Sequence, residues 1–190
     1  MGTITKFNLQ MYIDKYNSKN FIETGTYTGI AVDYAIQFKF DTILSIELIK
    51  DFADKCKEKF KNNTNVTIIN DTSVNGLSVL PSGNSIFWLD AHLPNFYRPE
   101  YNGNYLSDIS TPLQKELELI KSIRDISQDV FIIDDLRIYE RGPFEQGEWL
   151  DAINMGIGNA DFIFDILSET HNVEKRYDDE GYIVCTPKAF

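Results

Sequence analysis

The sequence predicts an α/β fold with a mostly parallel seven-stranded sheet, helices on both faces and an antiparallel edge strand. Segments with the composition of buried strands alternate with segments of helical periodicity from Phe21 to Ile133, an order typical of parallel sheets. The last two predicted strands have no helix between them, which favours an antiparallel edge. Because 190 residues can bury one substantial core, we expect residues 1–190 to form a single domain.

The predicted elements follow from periodicity and from the residues that interrupt it. Short strands are rich in β-branched and aromatic side chains, whereas helices repeat apolar residues at three- and four-residue spacing. The predicted strands before the closing pair begin at Phe21 and then cover Thr42–Glu47, Val66–Ile69, Ser85–Leu89 and Val130–Ile133. The predicted helices cover Phe7–Tyr16, Ile30–Phe38, Lys50–Phe60 and Ser110–Ile126, with a weak helix before Pro81 and a short one near Trp149–Met155.

The end of the chain is predicted to form two paired strands, Phe162–Leu167 and Tyr182–Cys185, with a turn at Tyr177–Gly181. His171 is placed in a polar turn and receives no role. The stretch from Leu93 to Ser110 has no clear periodicity, and irregular segments of this length are usually functional or disordered.

Composition excludes several classes of partner. The formal net charge of −11 argues against nucleic acid, because proteins that bind the phosphate backbone present clustered Lys and Arg. The densest basic stretch, Lys50–Lys61, alternates with acids and fits a solvated helix face. No apolar run is long enough to span a bilayer, so we expect no membrane partner. The distant Cys56 and Cys185 favour a reduced, cytoplasmic protein.

The segment F-I-E-T-G-T-Y-T-G, Phe21 to Gly29, reads as a buried strand followed by a glycine-rich turn and a helix. Such a unit binds nucleotide-like ligands at the carboxyl ends of parallel strands. Gly25 and Gly29 allow a tight turn, but Tyr27 stands where a glycine would let the backbone approach a pyrophosphate. Glu23 would repel a pyrophosphate and attract an amino group or ribose hydroxyls. The pattern therefore favours S-adenosylmethionine over NAD.

Acidic residues end five successive predicted strands, and the carboxyl ends of parallel strands share one edge of a sheet. Glu47 follows the second strand at the spacing at which a carboxylate meets ribose hydroxyls. Asp71 is placed to accept from an adenine amino group, with Thr72 or Ser73 adding a contact. For any single acid, a helix cap or a polar strand exit is an equally good interpretation.

Asp90, Asp134 and Asp135 form a second predicted site together with His92. Hard carboxylate oxygens in this number suit Mg²⁺ or a similar cation, so we predict a metal held by the three aspartates. The alternative is structural, with Asp134 capping a loop and Asp135 paired to Arg137 or Arg141. His92 is equally well interpreted as a catalytic base or as a histidine bonded to a carbonyl group.

These residues lie in motifs that resemble small class I S-adenosylmethionine-dependent methyltransferases, within which the metal-dependent sugar O-methyltransferases of the macrocin type are most similar. The resemblance covers Phe21 to Tyr139. Its motifs are E-T-G-T-Y-T-G (Glu23 to Gly29), S-I-E-L (Ser45 to Leu48), N-D-T-S (Asn70 to Ser73), F-W-L-D-A-H (Phe87 to His92), T-P-L-Q-K-E-L (Thr111 to Leu117) and I-I-D-D-L (Ile132 to Leu136).

The resemblance implies a Rossmann-like methyltransferase fold and a role for each motif. The cofactor would contact the first motif (Glu23, Gly25, Thr26, Tyr27 and Gly29), then Glu47, then Asp71, Thr72 and Ser73, and finally Asp90. Mg²⁺ would lie on Asp90, Asp134 and Asp135. His92, assisted by Asp90, would be the catalytic base.

The activity implied is methyl transfer to a hydroxyl of a small acceptor such as a sugar, with Phe96–Tyr105 closing over the site. A non-catalytic module that binds S-adenosylmethionine, acting as a sensor or partner subunit, is the alternative. An NAD-linked oxidoreductase is disfavoured by the absence of G-x-G-x-x-G. The aromatic N-terminal helix is a candidate interface for a homodimer.

Overall fold

A computed structural model describes residues 3–93, 109–149 and 159–189 of the chain. The strands are β1 (Asn20–Thr24), β2 (Thr42–Glu47), β3 (Val66–Asn70), β4 (Ser85–Leu89), β5 (Val130–Ile133), β6 (His171–Arg176) and β7 (Tyr182–Pro187). The α-helices are α1 (Leu9–Tyr16), α2 (Ile30–Ala35), α3 (Lys50–Lys59), α4 (Ser73–Gly76), α5 (Leu113–Ile123) and α6 (Asp161–Leu167). Short 3₁₀ turns cover Ile4–Lys6, Leu77–Val79 and Leu136–Ile138.

The strands form one seven-stranded sheet in the order β3-β2-β1-β4-β5-β7-β6. The pairs among β1 to β5 are parallel, and β7 runs antiparallel to both β5 and β6. The predicted fold class is therefore confirmed. The order reverses between β1 and β4, which is the place where open α/β sheets bind ligands.

Hydrophobic clusters cover both faces of the sheet. All residues of the central strands β1, β4 and β5 are buried, because parallel strands between two helical layers have no solvent face. Helix α1 buries Tyr12 and Tyr16 in the cluster that contains Phe21 and Trp88. Its aromatic side chains thus pack inward, and Met11 is its exposed large apolar residue.

The predicted strand Phe162–Leu167 was wrong, since this segment forms helix α6. It buries Ile163 and Leu167, which are four residues apart and therefore share one face of a helix. The strand that pairs with β7 is β6, and its polar composition fits the edge of the sheet.

His171 was wrongly placed in a polar turn, since it begins β6 and is 1% exposed. Its Nε2 lies 2.9 Å from the carbonyl oxygen of Asp129, and its Nδ1 lies 2.8 Å from the hydroxyl of Thr170. The imidazole therefore joins the edge strand to the loop before β5. Polar flanking residues hid this buried role from the sequence.

Most of the predicted loop Leu93–Ser110, including Phe96–Tyr105, lies outside the described residues, as does most of the helix near Trp149–Met155. Within the described ranges, no helix has both the length and the apolar character needed to cross a membrane.

Backbone hydrogen bonds continue one residue past the carboxyl ends of several strands and align these ends with one another. Asp90 N–H donates to Thr24 O at 3.1 Å, and Asp134 N–H donates to Leu89 O at 3.1 Å. On the other side, Gly25 N–H donates to Ile46 O at 2.9 Å. The ladder thus sets the exits of β2, β1, β4 and β5 side by side along one edge.

Candidate active site

A cavity of about 350 Å³ opens at this edge, within the size range of small-molecule sites. We call the part beside the glycine turn the turn half and the part beside the aspartates the acidic half. The turn half is lined by Gly25, Tyr27, Ile46, Glu47, Leu48, Ile49, Phe52, Thr72 and Ser73. The acidic half is lined by Asp90, Ala91, His92, Leu93, Ile109, Asp134, Asp135, Arg137, Trp149 and Glu180.

The two glycines of the turn pack against different parts of the protein. Gly25 has φ 87°, and a Cβ there would lie 2.6 Å from the carbonyl oxygen of Asp90. The turn after β1 therefore packs directly on the exit of β4, which only glycine permits. Gly29 has φ 77° and faces Phe60 of the loop after α3, so it supports the turn and does not line the cavity.

Glu47 lines the cavity and is held in place by backbone donors. Its Oε2 accepts from Tyr27 N–H and its Oε1 from Ile49 N–H, each at 2.7 Å. Burial raises the pKa of Glu47, and these hydrogen bonds oppose the rise because they favour the carboxylate. Each oxygen keeps a further lone pair with which it can accept a hydroxyl proton.

Glu23 and Thr26, two of the predicted cofactor contacts, lie behind the cavity and do not line it. Each is 2% exposed. The hydroxyl of Ser45 donates to Glu23 Oε2 and also bonds the hydroxyl of Thr26. Burial raises the pKa of Glu23 to about 8, with Ser45 lowering it and the charge of Glu47 raising it further. These residues support the turn from below.

Asp71 is also outside the cavity lining, whereas the adjacent Thr72 and Ser73 belong to it. Asp71 is exposed, and its Oδ1 accepts from Thr72 N–H at 2.7 Å and from Asn75 Nδ2 at 3.0 Å. Its carboxylate organises the start of α4. The prediction that it binds adenine is therefore not supported by its position.

Asp90, His92 and Asp135 converge in the acidic half. His92 Nε2 lies 2.7 Å from Asp135 Oδ2, and His92 Nδ1 lies 3.5 Å from Asp90 Oδ1. One potential ligand atom from each residue lies within 4.8 Å of those of the other two. Asp134 lines the same half, but its Oδ1 accepts from Asp135 N–H at 2.9 Å and it is not part of this group.

Burial and mutual repulsion dominate the electrostatics of this half. Burial raises the pKa of Asp90 well above its usual value, and the charge of Asp134 raises it further. Burial likewise raises the pKa of Asp134 to about 8, with Asp135 adding to the effect. Burial alone would lower the pKa of His92, but its partner Asp135 and the other aspartates raise it to about 9. A protonated imidazole therefore balances part of the carboxylate charge.

The alternative role considered for Asp135, an ion pair with Arg137, is also observed. Arg137 Nε lies 3.4 Å from Asp135 Oδ1, and the same guanidinium bonds Glu180. The backbone of Asp135 is left-handed, with φ 55°. Although burial opposes ionisation, His92 and Arg137 hold the pKa of Asp135 below its usual value. Asp135 is thus a carboxylate that two cationic side chains keep charged.

Solved structures share this fold along almost the entire chain. A Staphylococcus aureus protein assigned as a caffeoyl-CoA O-methyltransferase gives a TM-score of 0.66 at 14% identity, covering 99% of this chain and 85% of that one. An O-methyltransferase from Bacillus cereus in complex with SAH gives 0.61 at 13% identity, covering 99% and 83%. The N-methyltransferase NodS from Bradyrhizobium japonicum, also with SAH (S-adenosylhomocysteine), gives 0.57 at 10% identity, covering 95% and 84%.

The chain has the fold of these methyltransferases. Because the relatives act on oxygen in one case and nitrogen in another, the fold does not fix the acceptor atom. A family model described as DNA polymerase III polC-type N-terminus I matches residues 4–69, about a third of the chain. That segment supplies three of the strands of the shared sheet. No curated protein matches the sequence.

Several residues of the site were not identified from the sequence. Phe52 lies in the first turn of α3, where an amphipathic helix pattern gave no reason to single it out. Glu180 reaches the acidic half from the turn between β6 and β7, far away in sequence. Arg137, which the sequence suggested only as a partner of Asp135, also lies between Glu180 and Trp149, with its Cζ 5.8 Å from the centre of the Trp149 ring. These contacts arise from topology, which local patterns do not contain.

Glu116 is a further residue that received no role, although it lies in one of the motifs. It is 1% exposed and faces the exits of β1 and β3 from helix α5. Burial raises its pKa to about 7, while the hydroxyls of Ser73 and Thr24 lower it. Glu116 therefore contacts the cavity lining at Ser73 from the side of helix α5.

Proposed function

We propose that the protein is an S-adenosylmethionine-dependent methyltransferase that methylates a hydroxyl of a small acceptor with the help of a divalent metal. One observation carries the proposal. Glu47, at the spacing for a ribose contact, and the Asp90–His92–Asp135 group line the same cavity. A methyl donor and an activated acceptor need this proximity, because the enzyme gains most of its rate by aligning them.

The turn half fits the nucleoside of the cofactor. Glu47 offers oxygens to the ribose hydroxyls, while Leu48, Ile49 and Phe52 give an apolar wall for adenine. Fold relatives crystallised with SAH support this assignment. When bound, S-adenosylmethionine supplies a methyl group made reactive by its sulfonium.

The donor set of the acidic half fits a divalent cation. Asp90 and Asp135 would hold it, because carboxylate oxygens suit Mg²⁺ or Mn²⁺, and His92 beside them would stay available as a base. A metal bound there would lower the pKa of an acceptor hydroxyl. Asp134 remains a proposed additional ligand, one residue away.

His92 is the proposed base for the acceptor proton, with Asp90 and Asp135 orienting its ring. It can accept a proton only when neutral, and free carboxylates beside it favour the charged form. The charge state of His92 therefore depends on whether Asp90 and Asp135 are bound to another cation, such as the proposed metal. Arg137 and Glu180 form the adjacent wall, where we place the acceptor.

We further propose that the acceptor is a sugar or another small polyol. Trp149 offers an aromatic face and Glu180 a carboxylate acceptor, the groups with which proteins bind hydroxyl-rich ligands. The buried free cysteines agree with a reducing, cytoplasmic location. We also propose that residues 1–190 form a single domain and that the protein is a homodimer.

Calorimetry on metal-free protein tests the proposal. SAH should bind, Mg²⁺ or Mn²⁺ should bind separately, and labelled methyl should pass from S-adenosylmethionine to a hydroxylated acceptor. Failure of SAH to bind would refute the proposal as a whole. SAH binding with no metal binding and no transfer would instead support a cofactor-binding module that does no chemistry.

A further inference from the structure

Tyr27 adopts a backbone conformation that its side chain disfavours. Its φ is 47°, in the left-handed region, where bulky residues are uncommon. Three of the other non-glycine residues with positive φ in the described part of the chain, Asn17, Asp135 and Asp179, are of the types that tolerate this region. A glycine would fit this position without strain. Tyrosine here thus points to a use for the ring.

Contacts from two other elements fix the peptide groups of Tyr27. Its N–H donates to Glu47 Oε2 at 2.7 Å, from the end of β2. Its carbonyl oxygen accepts from the thiol of Cys56 on α3, with the sulfur 3.4 Å away. The strained turn is therefore held from both sides.

The ring of Tyr27 packs edge-on against Phe52, with centroids 4.9 Å apart and planes at 77°. Both residues line the turn half of the cavity beside Glu47. Edge-to-face packing of this kind fixes ring orientation. A glycine at this position would remove the ring and leave this part of the cavity wall open.

Three backbone donors of the turn, including the central one, are already used within the protein and are not available to a phosphate. Gly25 N–H donates to Ile46 O at 2.9 Å, and Gly29 N–H donates to Thr26 O at 2.8 Å. With Tyr27 N–H bound to Glu47, all three groups are used within the protein. Loops that bind phosphate direct such N–H groups at the ligand.

We propose that Tyr27 determines the cofactor selectivity of the turn half, favouring a nucleoside without phosphates over a nucleotide. Its ring forms the wall against the bound nucleoside, and its N–H is committed to the carboxylate that meets the ribose. This inference rests on the proposed function, since it concerns the same cavity.

Calorimetric titration with SAH and with ADP tests the inference on wild type, Tyr27→Gly and Tyr27→Phe. Tyr27→Gly should lose about tenfold in SAH affinity, because the aromatic wall is gone. The ratio of the SAH affinity to the ADP affinity should fall by a similar factor. Tyr27→Phe keeps the ring and should retain most of the affinity and the preference.

Asn17→Gly is the matched control. Asn17 has φ 51°, is exposed and lies at the end of α1, so glycine there relieves a similar strain away from the cavity. We expect its SAH and ADP affinities to equal those of wild type. Thermal unfolding should show Tyr27→Gly folded at the temperature of the titration, so that a lower SAH affinity reports the missing ring and not unfolding.

Unchanged SAH affinity and unchanged preference in Tyr27→Gly would overturn the inference while leaving the proposed function intact. If wild type binds no SAH, the proposed function and this inference fail together. Should Tyr27→Gly not fold, Tyr27→Asn removes the ring with a residue that accepts positive φ, and the same affinity ratios decide.

Discussion

The two halves of the cavity hold their carboxylates in opposite ways. In the turn half, Glu47 accepts from two backbone N–H groups, and Glu23 beneath it accepts from Ser45. In the acidic half, Asp90 and Asp135 face His92. Backbone donors are fixed by the fold, so the turn half is organised before any ligand binds. The acidic half needs a cation, either a proton or a metal, to balance its charge.

The largest expected effect comes from Asp135→Asn, which breaks the acidic half alone. Asparagine tolerates the left-handed backbone but offers a weaker ligand and a poorer partner for His92. We expect methyl transfer to fall by more than about 100-fold and divalent-metal binding to be lost. SAH affinity, measured by calorimetry, should stay within about twofold of wild type.

The surface variant Asp54→Asn serves as the control, because it removes a carboxylate that pairs with exposed Lys50. It should leave both measurements unchanged. Normal turnover by Asp135→Asn would show that this aspartate neither binds a metal nor orients a base.

The reciprocal change, Glu47→Gln, breaks the turn half alone. A glutamine side chain can accept from only one of the two N–H groups and places its own amide hydrogens against the other. We expect SAH affinity to fall by about 10- to 100-fold, with metal affinity kept. Parallel loss of SAH and metal binding in calorimetry would contradict the independence of the halves.

Gly25→Ala tests a close contact between the backbone of the turn half and that of the acidic half. The added methyl would meet the carbonyl oxygen of Asp90, and positive φ adds strain, so we expect a loss of roughly 2–4 kcal/mol in unfolding free energy. Gly147→Ala is a matched control, with φ 82° but nothing within 4 Å of its Cβ. It should lose only about 1 kcal/mol in urea unfolding. Equal losses would show that strain alone, and not contact with β4, sets the cost.

The smallest effect concerns pH and the buried Glu23. Since burial raises its folded pKa to about 8, the folded state binds more protons than the unfolded state above pH 4.5. Its contribution to stability is therefore present at low pH and is lost as pH rises towards 8. Glu23→Gln should gain on the order of 1 kcal/mol relative to wild type between pH 5 and pH 8, measured by chemical unfolding. Parallel pH curves would mean that Glu23 remains charged in the folded protein.

Local patterns predicted the sheet and the strand exits well because a parallel strand buried on both faces leaves a continuous apolar run. They failed at the edge, where β6 is polar and α6 is apolar enough to resemble a strand. Within the turn motif they could not separate Gly25, which lines the cavity, from Gly29, which packs on Phe60. Both glycines have positive φ, and only the neighbours across the fold distinguish them.

The sequence by itself determined the order of elements and the carboxylates that follow the strands, because each strand and the acid after it are adjacent in the sequence. Tertiary structure decided which of those acids share a cavity. Asp90 and Asp135 meet because β4 and β5 are neighbours, whereas Asp71 turns to its own helix and Glu23 points to Ser45. The side of the sheet that a strand-end side chain faces depends on pairing and register, which no local stretch of residues specifies.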